Sequence, residues 1–315
     1  MKSSLHERAA DAGVRKDSSA TKRAEEAVAA SQPAPPCGPA FGCPRDFLDN
    51  RFVYAVISPR ARGLSVGVNM NPDQRCNFDC VYCEVNRSEP AKELWLNVPV
   101  MMTELERTLA LIHSGGLREL ARYQKVPREL LELRHVTLSG DGEPTLCQNF
   151  VEAVEAVVHL RARRRFPFFK LVLITNASGL DRPEVAEALQ LLTPRDEVWA
   201  KLDSGTQEYM DRVNKPDCRL ERIQTNITSL ARARPVVIQS LFPSINGEGP
   251  SEFEIEAYVQ RLRRMREAGA QIPLVQIYSA TRPTPHSDCG HLPLRTLSAI
   301  AQRVREESGL KAEVF

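Results

Sequence analysis

The sequence predicts an α/β chain whose strands form a parallel sheet curled into an incomplete (β/α)6 barrel. Three observations carry that expectation. Short apolar runs alternate with amphipathic helical patterns in a βαβαβα order. The alternation occupies about 250 residues, an ordinary span for an α/β barrel. Polar, chemistry-bearing residues recur where the candidate strands end, which is where such barrels collect their function.

Taken in order, residues 1–46 are expected to be a disordered or flexible tail, since they mix charged and small residues and offer little apolar surface to offset the entropy of ordering. The acidic Glu7, Asp11, Asp17, Glu25 and Glu26 argue against a transit peptide. One catalytic domain follows over residues 47–315. Its strands are expected at 65–69, 135–139, 170–175, 197–202, 236–241 and 274–279, each a short run with apolar and β-branched residues. Helical recurrence appears at 101–112, 150–164, 183–192, 219–232, 252–268 and 294–307, with Gly309 as a stop signal after the last.

Composition excludes several classes. The 42 basic and 40 acidic side chains leave a formal charge of only +2, so no global electrostatic footprint points to nucleic acid or membrane. No apolar run approaches the 18 or more residues of a spanning helix, and the N-terminus lacks a secretory h-region, so a cytoplasmic chain without membrane partners is expected. Eight cysteines would permit four disulfides, but a chain of this size needs no stapling and a reducing cytosol disfavours them.

Thiolate ligands are the better use. Cys76, Cys80 and Cys83 sit at C-x3-C-x2-C spacing just after the first candidate strand, with no fourth cysteine nearby. Three thiolates can hold a cuboidal iron–sulfur cluster and leave one iron open. A structural zinc wants four ligands and would need a distant cysteine or histidine, and three unrelated buried thiols are the blandest alternative. The second strand ends Ser139-Gly140-Asp141-Gly142-Glu143-Pro144-Thr145, either an ordinary tight turn or a backbone cradle with a charge in it. The third ends Ile174-Thr175-Asn176-Ala177-Ser178, a polar contact or an Asx cap. In the fourth, Lys201 and Asp203 alternate by two and share a face, as a buried ion pair or as ligand contacts. Gln239, Ser240, Gln276 and Tyr278 are polar groups within apolar runs of the last two strands, and each calls for a partner, substrate or water.

Read together, Cys-Asn-Phe-Asp-Cys-Val-Tyr-Cys-Glu, Ser-Gly-Asp-Gly-Glu-Pro-Thr and Lys-Leu-Asp resemble the radical S-adenosylmethionine (SAM) superfamily, and within it the wyosine-synthase-like group. The resemblance covers roughly residues 54–315, including Ser58-Pro59-Arg60-Ala61-Arg62-Gly63. It implies a partial barrel of radical SAM type and one 4Fe–4S cluster on Cys76, Cys80 and Cys83. SAM would be chelated at the open iron and cleaved to methionine and a 5′-deoxyadenosyl radical, with electrons from a reductant such as flavodoxin or ferredoxin. By the same resemblance Tyr82, Gly140, Asp141, Gly142, Glu143, Asn176, Lys201 and Asp203 are the cofactor-binding candidates. Asp141 stands where the family commonly has a glycine. Authentic tRNA 4-demethylwyosine synthases carry a second cluster on widely spaced N-terminal cysteines, whereas only Cys37 and Cys43 precede the motif here. A tRNA nucleoside is therefore the leading substrate by analogy alone, a peptide or small metabolite follows, and a non-catalytic zinc or iron–sulfur adaptor is the competing class. Lys201, Tyr278 and Cys289 are the candidates for catalysis, Cys289 being an auxiliary ligand, a hydrogen donor or simply packed. The stretch 161–170, mixing cations and aromatics, either grips RNA or serves a helix C-terminus and the core.

Overall fold

The computed structural model describes residues 47–282 and 284–315. The expected tail at 1–46, with Cys37 and Cys43, lies outside the described residues. Eight strands form one sheet in the order β1-β2-β3-β4-β5-β6-β8-β10. These are β1 Val53–Ser58, β2 Gly63–Asn69, β3 Leu133–Ser139, β4 Lys170–Thr175, β5 Glu197–Lys201, β6 Val236–Leu241, β8 Val275–Tyr278 and β10 Ala312–Val314. Only β1 runs antiparallel to its neighbour, through the β1–β2 hairpin, and every other pairing is parallel. The short strands β7 Ser244–Ile245 and β9 Cys289–Gly290 form a separate antiparallel ribbon.

Helices α1 Val98–His113, α2 Phe150–Ala162, α3 Pro183–Gln190, α4 Gln207–Val213, α5 Leu220–Ala233, α6 Glu252–Glu267 and α7 Leu294–Arg303 connect the parallel strands. Several begin on side-chain caps that satisfy the unpaired first-turn N–H groups. Asn97 caps α1, Thr206 caps α4 and Ser251 caps α6, each accepting from a backbone N–H three residues on. The last helix continues as a π-turn, Val304–Ser308, and stops at Gly309, which takes the left-handed φ of 68° that favours glycine.

Strands β1 and β10 and helix α4 were not anticipated. Strand β1 shows period-two burial, with Val53, Ala55 and Ile57 inside. It is fastened by the buried carboxylate of Glu104 in α1, which accepts the N–H groups of Arg51, Phe52 and Val53 at 2.8, 2.9 and 3.1 Å. Alongside β1, Leu117, Tyr123 and Val126 pack on Ala55 and Ile57, and the Tyr123 hydroxyl donates to the Ala55 carbonyl at 2.9 Å. Helix α4 has seven residues and β10 three, both too short for periodicity to register.

Alternation along the strands sorts the side chains. Leu171, Leu173, Val198, Ala200, Val236, Ile238, Val275 and Ile277 face the helices and are essentially unexposed. The opposite parity faces the lumen, where Val172, Trp199 and Val237 form a second apolar group. Trp199 meets His135 edge to face at 5.3 Å, and its indole N–H donates to Glu197 at 2.7 Å. Glu197 also pairs with Lys170 at 2.6 Å.

His135 is 2% exposed, and burial, with Lys170 and Arg60 nearby, lowers its pKa from 6.5 to about 3. Between those values the unfolded chain binds the extra proton, so stability falls as pH drops below 6.5. We expect urea unfolding to show a loss of about 2 kcal/mol from this one group between pH 7 and pH 5. The His135→Phe variant should lack that increment while keeping the ring contact; an unchanged pH slope in the variant would count against the assignment.

Candidate functional site

The loop carrying Cys76, Cys80 and Cys83 leaves the C-terminal end of β2 and lies across the ends of the neighbouring strands. Backbone and side-chain bonds fasten it at three places. Glu143 N–H donates to the Arg75 carbonyl at 3.0 Å, tying the loop to the end of β3. The Asn77 amide donates to Ser178 at 3.0 Å and accepts from Asn176 at 2.9 Å, tying it to the end of β4. Asp79 and Val81 N–H groups donate to the Asn214 and Val213 carbonyls at 3.0 and 2.9 Å, at the end of α4.

All three thiols are half-buried and free of disulfides. Burial pushes the Cys76 thiol up to about 11 and the Cys80 thiol up to about 12, the latter against a donor from Asn214. Among the described residues, no three His, Cys, Asp or Glu side chains are gathered closely enough for a single metal ion, as a structural zinc requires. Three free thiols carried on one loop are the donor set that a three-thiolate cluster uses.

The turn after β3 is packed against this loop. A side-chain carbon on Gly142 would lie 1.9 Å from the Arg75 carbonyl oxygen, and one on Gly140 would lie 2.9 Å from both the backbone nitrogen and the side-chain oxygen of Asn71. The missing side chains let this turn pack closely against the cysteine loop. Asp141 is accommodated by Asn69, whose amide donates to the Asp141 carboxylate at 2.6 Å and accepts the Asp141 N–H at 2.9 Å. Asn71, 1% exposed beneath the same turn, has neither amide oxygen nor nitrogen hydrogen-bonded within the chain.

Glu143 is buried and heavily committed. Its carboxylate accepts from the Thr145 hydroxyl at 2.7 Å, the Thr175 hydroxyl at 2.5 Å and the Asn176 N–H at 2.7 Å. Burial raises its pKa, and these donors oppose the rise. It joins the ends of β3 and β4.

A second polar group lies opposite. The Lys201 ammonium sits 3.2 Å from Asp203 and 3.1 Å from the Tyr278 hydroxyl, over the rings of Tyr82 and Tyr278 at 4.9 and 5.3 Å. Burial works against its charge, yet Asp203 and Tyr278 more than offset this and raise the pKa. Asp203 also accepts from the Tyr82 hydroxyl, from Asn214 at 2.9 Å and from Leu241 N–H at 2.8 Å. Asn214, 2% exposed, donates in addition to Tyr82 at 2.9 Å and to the Cys80 sulfur at 3.4 Å. It couples the ion pair to the cysteine loop, a role that a single amide at the end of a short helix does not advertise in sequence.

The other candidates fall as follows. Gln239 donates to Gln276 at 2.7 Å in the lumen, while Ser240 faces outward and bonds the Leu202 carbonyl and Tyr258 at 2.6 Å each. Cys289 is half-buried and packs with Val81, Tyr82 and Tyr278 beside the cysteine loop. Cys147 and Cys218 pack against the main core. In 161–170, Arg161 makes a buried ion pair with Asp196 at 2.6 Å, Phe169 is in the core, and Phe168 lies near Arg161 and Arg195. That stretch leads into the start of β4, at the opposite end of the strands from the cysteine loop.

The profile of the Radical SAM superfamily matches residues 70–257, more than half of the chain. The UPF0026 protein slr1464 of Synechocystis sp. is 31% identical over 56% of this chain and 57% of its own length. The chain thus spans little more than half of that relative. Among solved structures, TYW1 with a lysine-pyruvate adduct bound superposes over 82% of this chain and 85% of that one, at TM-score 0.56 and 15% identity. SuiB of Streptococcus suis bound to S-adenosylmethionine covers 78% of this chain and 49% of its own, at TM-score 0.53 and 15% identity. At such identities the structures share the fold. Among the described residues no helix is long and apolar enough to cross a membrane. With three free thiols at the mouth of a half-barrel and a profile match spanning loop and strands, the chain belongs to the radical SAM superfamily, enzymes that work with a 4Fe–4S cluster and SAM.

Proposed function

We propose that Cys76, Cys80 and Cys83 hold the 4Fe–4S cluster and that SAM lies between the turn at Gly140, Asp141, Gly142 and Glu143, Asn176, and the Lys201/Asp203 pair with Tyr82. The convergence of the ends of β3, β4 and β5 on the cysteine loop carries this reading. When bound, the cluster and SAM supply a 5′-deoxyadenosyl radical, given an electron from a flavodoxin- or ferredoxin-like donor. The chain's residues orient and exclude water. Asn71 offers an unused amide, Lys201 a fixed positive charge for a carboxylate, and Val81, Tyr82, Leu241 and Tyr278 an apolar wall.

For substrate, a tRNA nucleoside is the favoured class, supported by the motif resemblance and by the likeness to TYW1 over most of both chains. A peptide is the second reading, since SuiB has been solved bound to its precursor peptide SuiA. The lysine-pyruvate adduct in TYW1 raises a related question for Lys201. Its ammonium is held charged by Asp203, so it lacks the lone pair that imine formation needs until that pair is broken.

Anaerobic reconstitution should load about four irons per chain, and incubation with SAM and dithionite should yield 5′-deoxyadenosine, read by mass spectrometry. The Cys76→Ala/Cys80→Ala/Cys83→Ala variant should do neither. An intact, reducible cluster that never cleaves SAM, even with cell extract as a substrate source, would favour the binding-module reading.

A further inference from the structure

The turn of the β1–β2 hairpin carries Arg60 to the lumen, where its guanidinium lies 4.3 Å from the centre of the Tyr278 ring. Lys201 approaches the same ring at 5.3 Å and the Tyr82 ring at 4.9 Å. A ladder of alternating cations and aromatics, Arg60, Tyr278, Lys201 and Tyr82, therefore leads from the hairpin turn to the cysteine loop.

The charges along this ladder do not balance. Lys170 is matched by Glu197 at 2.6 Å and Lys201 by Asp203 at 3.2 Å. Glu313, the acid of β10, is taken by Arg62 and Lys311 at 2.7 Å each. His135, with its pKa lowered to about 3, adds no charge at neutral pH and supplies no anion. Arg60 is half-buried and has no carboxylate partner among the described residues. Its guanidinium lies on the face of Tyr278, a contact that leaves the planar fork of N–H donors free to take an oxyanion.

We infer that Arg60 is a specificity-determining residue that binds an oxyanion, phosphate or carboxylate, carried by the substrate of this site. The inference rests on the function proposed above and narrows it: the substrate bears a negative group held at Arg60, one aromatic ring away from Lys201. Tyr278 keeps the two cations apart, so Lys201 stays paired with Asp203 while Arg60 reads the substrate.

The test is chemical labelling of the full-length chain with phenylglyoxal, before and after cluster reconstitution, with peptide mapping by mass spectrometry. Arg212, which lies over the Tyr209 ring at 5.2 Å on α4, is the internal control. Inorganic phosphate, acetate and chloride are compared at matched ionic strength, because screening alone alters exposed charges. We expect several-fold slower labelling of Arg60 in phosphate or acetate than in chloride, with Arg212 unaffected. Protection by phosphate alone assigns a phosphate-bearing substrate, and protection by acetate as well admits a carboxylate. Equal labelling in all three salts, or equal protection of Arg212, overturns the inference. Labelling needs neither SAM nor reduction, so failure to form 5′-deoxyadenosine would strike the proposed function and leave the anion site standing.

Discussion

Gly142→Ala should strip the protein of most of its iron after reconstitution, although it adds a single methyl group far smaller than any cofactor. The new carbon would lie 1.9 Å from the Arg75 carbonyl oxygen and 2.5 Å from its carbon, and both are backbone atoms that cannot swing aside. Either the turn after β3 or the cysteine loop must move, and the Glu143 N–H bond to Arg75 goes with it. Overpacking of this kind costs about 1–3 kcal/mol in stability, but the larger effect falls on ligand geometry, because Arg75 directly precedes Cys76. Gly247→Ala separates the causes: its φ is +84° with nothing within 4 Å, so it carries backbone strain without collision. Iron content and SAM affinity equal to the parent's in Gly142→Ala, measured beside that control, would refute the docking role.

Asp203→Asn should be the most destabilising single change at the site. It leaves the Lys201 charge beside a neutral amide and presents an N–H group to some of the donors that the carboxylate accepts, from Tyr82, Asn214 and Leu241. Breaking a buried pair from one side costs roughly 3–5 kcal/mol, or a fall in Tm of about 6–15 °C for a domain of this size. Removing the stranded charge as well, in Asp203→Asn/Lys201→Met, should restore part of that stability. Thermal melts of the four chains of this cycle provide the measurement. Strictly additive losses would mean that the two residues do not act as a pair.

Much of this architecture was legible. The six expected strands correspond to β2, β3, β4, β5, β6 and β8, because a strand buried between lumen and helices is a short apolar run bounded by turns. Lys201 and Asp203 meet as the period-two spacing requires. Less visible was the use of Gly142 and Glu143. Their motif suggests contact with a ligand, and the structure adds protein contacts that the motif does not show, with the Arg75 backbone and with Thr145, Thr175 and Asn176. A motif records which residues gather, not which neighbour each one touches. Asn214 and Arg60 went unassigned because their roles arise from long-range placement, in a helix of seven residues and a hairpin turn that no periodicity marks.

Among the described residues the sheet ends at two edges, β1 and β10, and an open sheet edge is a template onto which foreign strands can add. On β1, Tyr123 occupies the Ala55 carbonyl; on β10, Arg305 occupies the Ala312 carbonyl at 2.9 Å. β10 is only three residues long, and its Glu313 is bracketed by Arg62 and Lys311. Short length, fixed charge and occupied acceptors are the features that discourage edge-to-edge association. The segments least recognisable as regular structure are thus the ones that cover the two edges of the sheet.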